Sequence, residues 1–88
     1  MAIKVGILGV TGYTGEELLR LLSRHPQVQV TAATSEQEKG KRLADLFPHI
    51  AVPREFEVCS AEHSLAAAMD VVFLCLPAIE SAQWAKKF

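Results

Sequence analysis

The chain has 88 residues, half of them hydrophobic, which is enough for one small domain with a packed core. Its formal net charge is −1, with acidic and basic residues interspersed, so neither nucleic acid nor an anionic membrane surface is favoured as a partner. The opening residues lack the charged-then-apolar pattern of a secretion signal, and the longest apolar run is too short to cross a bilayer. We therefore expect a cytoplasmic globular protein.

An apolar run followed by an amphipathic segment opens the chain. The run IKVGILG, residues 3–9, predicts a first strand. Residues 14–25 predict a helix, because their leucines form an apolar stripe at helical spacing. Pro26 ends this helix, since a proline ring clashes with a continuing helical turn.

The remaining segments alternate between strand and helix patterns. They are a strand at 28–34, a polar loop at 35–42, a short helical turn at 42–47, a weak strand at 56–59, a helix at 61–69, a strand at 70–77 and a helix at 78–88. Within the last of these strands, residues 71–77 are continuously apolar, which suits burial on both faces. This alternation predicts a Rossmann-like, doubly wound α/β fold with a parallel sheet of about four strands and crossover helices. In such sheets the fourth strand of the chain lies beside the first and later strands add outside it, so a chain that stops at Phe88 is expected to leave residues 71–76 as an unpaired apolar edge and to self-associate there.

Three glycines at a spacing of three, Gly9, Gly12 and Gly15, stand where the first strand gives way to the helix. A strand that turns into a helix around a phosphate needs glycine for the tight turn, for close approach of the backbone to the pyrophosphate, and for close packing of helix on strand. The helix then offers unpaired N–H groups and the positive end of its dipole to the anion. The spacing departs from G-x-G-x-x-G, and a glycine-rich turn without a ligand is the alternative. The position of the three glycines between a strand and a helix favours dinucleotide binding over a turn without a ligand.

The stretch VGILGVTGYTGEELLRLLSRHPQVQV, with ATS, GKRLADLFPH and DVVFLCLP further on, resembles the N-terminal portion of the N-acetyl-gamma-glutamyl-phosphate reductases. The resemblance implies NADPH-dependent reduction of an acyl phosphate to an aldehyde in arginine biosynthesis, through a thioester on a cysteine beyond Phe88. It also implies that residues 1–88 are a partial dinucleotide-binding domain, without the catalytic and dimerisation domain. The full-length protein is then expected to be a homo-oligomer.

The predicted cofactor site collects the glycine turn and the ends of the second and last strands. Its members are Gly9, Thr11, Gly12, Tyr13, Thr14, Gly15, Thr34, Ser35, Lys39, Leu76 and Pro77. Tyr13 either lies against the cofactor or shields the turn, and both readings stay open. The loop after Pro77 resembles one that borders the nicotinamide, but this chain carries Ala78 and Ile79 where family members usually carry histidine and glycine.

The second strand ends in hydroxyl residues, which predicts NADP as the cofactor. Thr34 and Ser35 suit a 2′-phosphate, whereas an acidic residue such as Glu36 suits the ribose hydroxyls of NAD. Family members often carry arginine at the position of Glu36. Lys39 and the cations that follow it along the chain either replace that arginine at the 2′-phosphate or belong to a solvated loop.

No catalytic or metal-binding residue is predicted among the 88. Thioester chemistry needs an exposed thiolate beside a base, whereas Cys75 lies in a run that predicts a buried strand and Cys59 follows a weak one. Three other readings remain: an aspartate-semialdehyde dehydrogenase, which Tyr13 and Thr14 disfavour, a lysine-pathway acyl-phosphate reductase, and a non-catalytic dinucleotide-binding module.

Overall fold

A three-stranded parallel sheet lies at the centre of the computed structural model, which describes residues 2–64 and 68–88. In chain order the elements are β1 (Ile3–Leu8), α1 (Tyr13–Leu22), β2 (Val28–Thr34), α2 (Leu43–Leu46), α3 (Ala61–Ser64), β3 (Val71–Leu74) and α4 (Ala78–Ala85). The strand order is β2-β1-β3, so the first strand of the chain is the central one. The predicted α/β class, the parallel sheet and the place of the last strand beside the first are confirmed.

The register of the sheet brings the carboxyl ends of its strands together. Leu8, the last residue of β1, pairs with Thr34 at the end of β2 and with Leu74 at the end of β3. The loops that follow the three strands therefore leave the sheet at the same edge, which is where open parallel sheets bind their ligands.

The hydrophobic core forms where α1 and the chain after β2 pack on the sheet. Its buried members are Val5, Ile7, Val10, Leu19, Ala33, Leu43, Phe47, Ile50 and Val58. Leu19 is fully buried, while Leu18 and Leu22 are partly buried against the same cluster. The leucine stripe seen in the sequence thus seats α1 on the sheet, each fully buried leucine contributing about 2 kcal/mol.

Helix α1 is shorter than predicted at its C-terminal end. It ends at Leu22, and the N–H groups of Arg24 and His25 donate to the carbonyls three residues earlier, at 3.3 and 3.1 Å. His25 cannot stay helical comfortably because it precedes Pro26, whose ring disfavours helical backbone in the residue before it. The chain therefore tightens into a turn before the proline is reached.

The prediction of about four strands is wrong for the described part of the chain, which has three. Residues 56–59 make only isolated bridges, Cys59 in parallel to Thr34 and Glu57 antiparallel to Arg42. The segment changes partner within two residues, and this keeps it from building a continuous ladder on either neighbour.

The prediction that the last strand is buried on both faces is also wrong. Val71 and Phe73 are 41% and 36% exposed, and they alternate with the partly buried Val72 and Leu74. Side chains alternate across a strand, so one face of β3 is covered and the other is open. As the sheet order places β3 at the end, its outer edge has no partner strand among residues 2–64 and 68–88.

Two predicted helices differ in length from the observed ones. Of the helix expected at 61–69, α3 covers the first turn, residues 65–67 lie outside the described residues, and 68 and 69 are not helical. The last helix ends at Ala85 rather than at the final residue. No helix in the described ranges is long and apolar enough to cross a membrane.

Candidate functional site

The glycine turn, residues 9–15, leads from β1 into α1, and its first glycine is required by the fold. Gly9 has φ +86°, a conformation that side chains disfavour. Its N–H donates to the Thr34 carbonyl at 3.1 Å, and the N–H of Val10 donates to the same oxygen at 2.9 Å. A Cβ on Gly9 would lie 2.5 Å from the Cys75 carbonyl oxygen. The turn is thus fixed against both neighbouring strands by backbone contacts.

The third glycine of the turn lets α1 approach β1 closely. Gly15 is buried, and a Cβ there would collide with the Gly9 carbonyl oxygen and lie 2.8 Å from the Cα of Val10. Any side chain would push the first turn of the helix away from the strand end. Gly15 therefore has the geometry expected of the glycine that packs helix on strand.

The second glycine of the turn is not required by the fold. Gly12 has φ −74° and ψ 167°, which any residue adopts. A Cβ there would make ordinary contacts, 3.4 Å from the Gly9 carbonyl oxygen and 3.7 Å from that of Cys75. Gly12 is also exposed. The missing side chain leaves bare backbone facing solvent, which is what a ligand phosphate needs for close approach.

Helix α1 presents its N-terminus at the same place. Gly12 is the N-cap residue and has no side chain with which to cap the helix. The first bond of the helix runs from the N–H of Glu16 to the Gly12 carbonyl at 2.9 Å, so the preceding N–H groups have no partner within the helix. Tyr13 is 95% exposed, so its ring covers no part of the turn. The open N–H groups and the helix dipole favour an anion here.

The end of β2 is bonded directly to the glycine turn. Thr34 and Ser35 are 2% and 6% exposed. The N–H of Gly9 also approaches the Thr34 Oγ1 at 3.2 Å, and the hydroxyl of Thr11 donates to the Ser35 Oγ at 3.0 Å. The structure therefore brings the predicted phosphate turn and the predicted ribose contacts into one network.

Ion pairs join charged side chains of the ribose-side loop, residues 35–42. Lys39 Nζ lies 3.3 Å from Glu36 Oε2, and Lys41 Nζ lies 2.7 Å from Glu38 Oε2. The other oxygen of Glu36 accepts from the N–H of Ala61 at 3.4 Å. Because the Lys39 and Glu36 side chains are 57% and 64% exposed, their pair is screened by water and contributes little to stability.

The end of β3 completes the edge of the site. The N–H of Cys75 donates to the Leu8 carbonyl at 2.8 Å, which continues the pairing of the strand. The side chain of Leu76 lies against Gly9, where a Cβ would be 2.9 Å from its Cδ2. Pro77 is exposed and is the N-cap residue of α4.

Sequence reasoning missed Glu38, whose N–H donates to the Ser35 Oγ at 3.3 Å. The signal was present, because a serine followed three residues later by glutamate is a pattern in which the hydroxyl bonds that N–H. Two cavities of about 380 and 410 Å³ lie elsewhere, lined by none of the residues predicted to bind the cofactor. The predicted site is an open sheet edge, as expected for a ligand that lies across it.

Neither thiol has the character of a nucleophile. Cys59 and Cys75 are free and partly buried, and burial raises the pKa of both. An activated thiol has the opposite shift, because a nearby cation or helix N-terminus stabilises its thiolate.

The central strand of the parallel sheet runs through three glycines into a helix, beside the hydroxyl residues at the end of the next strand. This arrangement defines a dinucleotide-binding α/β domain. Residues 4–88 match the family model described as the NAD binding domain of semialdehyde dehydrogenase, and the chain belongs to this family.

Two named reductases show which enzymes the chain is similar to. The chain is 48% identical over 84 residues to the N-acetyl-gamma-glutamyl-phosphate reductase of Acinetobacter baylyi, a match that covers 96% of this chain and 24% of that protein. It is 47% identical over 75 residues to the reductase of the same name from Cellvibrio japonicus, which covers 85% and 22%. The predicted resemblance is confirmed, and the chain spans about a quarter of the length of these relatives.

A solved structure agrees with the fold. The aspartate semialdehyde dehydrogenase of Candida albicans, crystallised with NADP, matches with a TM-score of 0.77 and 28% identity. The match covers 100% of this chain and 27% of that one.

Proposed function

We propose that residues 1–88 form a partial dinucleotide-binding domain, the part of an enzyme that holds NADPH while N-acetyl-gamma-glutamyl phosphate is reduced to N-acetylglutamate semialdehyde. The reaction is a step of arginine biosynthesis. Support comes from the relatives named for this reductase activity, which are 47% and 48% identical to the chain. The role of this part is to bind and orient the dinucleotide.

One observation carries the assignment to the cofactor. Packing explains Gly9 and Gly15, but none of the described residues around Gly12 requires it to lack a side chain. A phosphate that approaches the backbone beside the N-terminus of α1 does explain it.

We propose that the nucleophile of the reaction lies outside residues 1–88. The raised pKa values of Cys59 and Cys75 argue against either as the thiolate that attacks an acyl phosphate. We expect the 88-residue chain to bind NADPH weakly and to reduce no acyl phosphate. Turnover that survives replacement of both cysteines by serine would contradict this.

NADP is proposed over NAD. Thr34 ends β2 and Ser35 follows it, both with hydroxyls, and Lys39 provides a cation in the ribose-side loop. Glu36 already contacts Lys39 and the N–H of Ala61, so its carboxylate has partners other than a ribose. Binding of NADP then requires Lys39 to exchange Glu36 for the 2′-phosphate, a charge-assisted contact.

An aspartate-semialdehyde dehydrogenase is the second candidate, favoured by the NADP-bound structure that shares this fold. The identities, 28% to that enzyme and 48% to the first reductase, support the arginine-pathway assignment instead.

A cytoplasmic location fits the two free cysteines, because reducing compartments keep thiols unpaired. Assembly of the full-length protein as a homo-oligomer without nucleic acid rests on the family resemblance and on the net charge of −1.

The test is the substitution Gly12→Val. The branched side chain blocks the path of the pyrophosphate, so the affinity for NADPH measured by calorimetry should fall at least about tenfold. The free energy of unfolding should change by about 1 kcal/mol or less, because a β-branched residue fits the backbone angles of Gly12 and replaces only a modest N-cap. Gly12→Ala, with its smaller side chain, should have an NADPH affinity between those of the parent and Gly12→Val. A Gly12→Val variant that binds NADPH as the parent does would show that the turn does not hold a phosphate.

A further inference from the structure

A histidine from a distant part of the chain lies against the first turn of α1. His49 Nε2 is 3.3 Å from Oε2 of Glu16, and the two side chains are 58% and 43% exposed. The N–H of Glu16 makes the first bond of the helix, to the Gly12 carbonyl at 2.9 Å. The pair therefore lies beside the end of α1 that carries the candidate phosphate site, although neither residue was assigned to that site.

The backbone around His49 holds the imidazole in this place. Phe47 and Ile50, on either side of it, are 6% and 5% exposed and belong to the hydrophobic core. The N–H of Ile50 donates to the Phe47 carbonyl at 3.0 Å, which closes a turn around residues 48 and 49. The rings of Phe47 and His49 meet edge to face, with their centroids 6.3 Å apart. Two buried anchors and one ring contact thus keep an exposed side chain beside α1.

The net charge of the pair depends on pH. Histidine is the side chain that gains a positive charge as the pH falls from about 8 to about 5, whereas a glutamate is negative throughout most of this range. The pair therefore carries one negative charge while His49 is neutral and none once His49 is protonated. Among the described residues, Glu16 is the one acidic group within ion-pair distance of His49. The adjacent Glu17 pairs with Arg20 on α1 itself, and Asp45 of α2 forms no ion pair within the described ranges.

A carboxylate beside the N-terminus of α1 opposes a second anion at the same end of the helix. The open N–H groups and the dipole attract a phosphate at Gly12, but the negative charge of Glu16 repels it. A proton on His49 neutralises that charge without touching the ligand. Single charges near a helix terminus act with free energies that correspond to an about two- to fivefold change in affinity.

We propose that His49 and Glu16 link dinucleotide binding to the uptake of a proton: protonation of His49 cancels the carboxylate of Glu16 and strengthens the binding of the pyrophosphate at the glycine turn. The proposal rests on the proposed function and adds a regulation of that site. Because the coupling of two binding events is reciprocal, the bound pyrophosphate in turn favours the protonated form of His49. This contribution to the affinity increases as the pH falls.

Calorimetric titration at about pH 8 and about pH 5.5 tests the pair, with oxidised NADP as the ligand because it is stable in acid. His49→Gln should bind NADP as the parent does at the higher pH and about threefold more weakly at the lower pH, since it cannot neutralise Glu16. Glu16→Gln lacks the repelling charge and should bind about threefold more tightly than the parent at the higher pH. The 2′-phosphate also titrates in this range, but it does so for every variant, so comparisons at one pH isolate the contribution of the protein.

A control variant and a salt series separate an electrostatic role from a structural one. His25 lies beyond the other end of α1, where its Nδ1 accepts from the N–H of Gln27, and His25→Gln should follow the parent at both pH values. Salt at about 1 M shortens the screening length to about 3 Å and should remove the difference between the parent and His49→Gln. A structural contribution of His49 would persist in salt and at both pH values.

The remaining outcomes overturn the proposal. If His49→Gln binds NADP as the parent does at both pH values, or more weakly by the same factor at both, no proton on His49 acts on the site, and the cofactor assignment stands without it. A parent chain that binds neither NADP nor NAD overturns the proposed function and this proposal together.

Discussion

The glycine turn and the ribose-side loop border the same site but are built in different ways. The turn depends on backbone contacts so close that Gly9 and Gly15 cannot carry a side chain. The loop is held by backbone bonds to the chain around Val58, while its charged side chains form pairs on the loop itself, Lys39 with Glu36 and Lys41 with Glu38. A substitution in the turn therefore has to move backbone, whereas one in the loop exchanges one solvated contact for another. On the proposed function, we expect the turn to set the class of ligand and the loop to set the choice among dinucleotides.

The largest expected effect compares a glycine in each region. Gly15→Ala should lower the free energy of unfolding by about 3 kcal/mol, because its Cβ meets backbone that cannot move without separating helix from strand. Gly40, in the ribose-side loop, also has a positive φ, +90°, but no atom lies within 4 Å of a Cβ built there. Gly40→Ala should cost about 1 kcal/mol, the strain of the backbone angle alone. Urea denaturation of both variants measures the difference, and equal losses would remove the contrast between the regions.

The next effect concerns the choice of dinucleotide. Lys39→Ala should lower the ratio of NADPH to NADH affinity about tenfold, because a charge-assisted contact with the 2′-phosphate is lost. Lys41→Ala and Arg42→Ala should shift the ratio less, since Lys41 is already paired with Glu38 at 2.7 Å. If the parent binds NADH as well as NADPH and none of the three changes matters, Glu36 is the ribose ligand and the cofactor is NAD.

A smaller effect follows from the carboxylate that competes for Lys39. Glu36→Gln removes the negative charge 3.3 Å from the ammonium group, so Lys39 no longer has to leave a partner when the 2′-phosphate arrives. The affinity for NADPH should rise about threefold, in keeping with the small free energy of an exposed pair. The same change in a Lys39→Ala background should have no such benefit. A drop in NADPH affinity would mean that Glu36 contacts the cofactor directly.

The smallest expected difference is in the reaction rates of the two thiols, Cys75 behind the glycine turn and Cys59 behind the ribose-side loop. The Cys75 carbonyl faces Gly9, and the Cys59 carbonyl accepts from the Ser35 N–H. Burial raises the pKa of both thiols, so both should react with iodoacetamide more slowly than a free cysteine at neutral pH. We expect Cys59 and Cys75 to react at similar rates, because both thiols are partly buried.

The raised thiol pKa values also set a direction for stability. The contribution of the protonated thiols is fully present below the pKa of an unfolded cysteine and is lost as the pH rises through the higher folded value. The folded state should therefore weaken in the alkaline range above the ordinary cysteine pKa. Replacing both cysteines by serine should remove this part of the pH dependence, and an unchanged profile would assign it to other groups.

Local patterns were enough to predict the elements that form the site. The bounds of β2, Val28–Thr34, agree with the prediction, because a strand beside the centre of the sheet is specified by its own apolar run. The two close approaches at Gly9 and Gly15 also follow the expected roles of glycine. In both cases a local sequence signal coincides with a steric requirement.

The errors arose where structure depends on distant partners. Residues 56–59 have a strand-like composition, but their pairing is divided between the end of β2 and the ribose-side loop. Burial of β3 depends on what covers it, which an apolar run does not reveal. The hydrogen bond from the Thr11 hydroxyl to Ser35 Oγ joins residues 24 positions apart, so no local window contains it.

The open edge of β3 has a consequence for mass action. Its outer backbone groups and the exposed side chains of Val71 and Phe73 offer a second copy of the chain a surface on which to add a strand. If copies pair there, association stabilises the folded chain and the unfolding midpoint becomes a function of protein concentration. We expect the midpoint to rise with concentration in the parent and to stay constant in Phe73→Lys, whose charge opposes pairing. Light scattering across the same dilution series reports whether the stability of one chain or of an assembly has been measured.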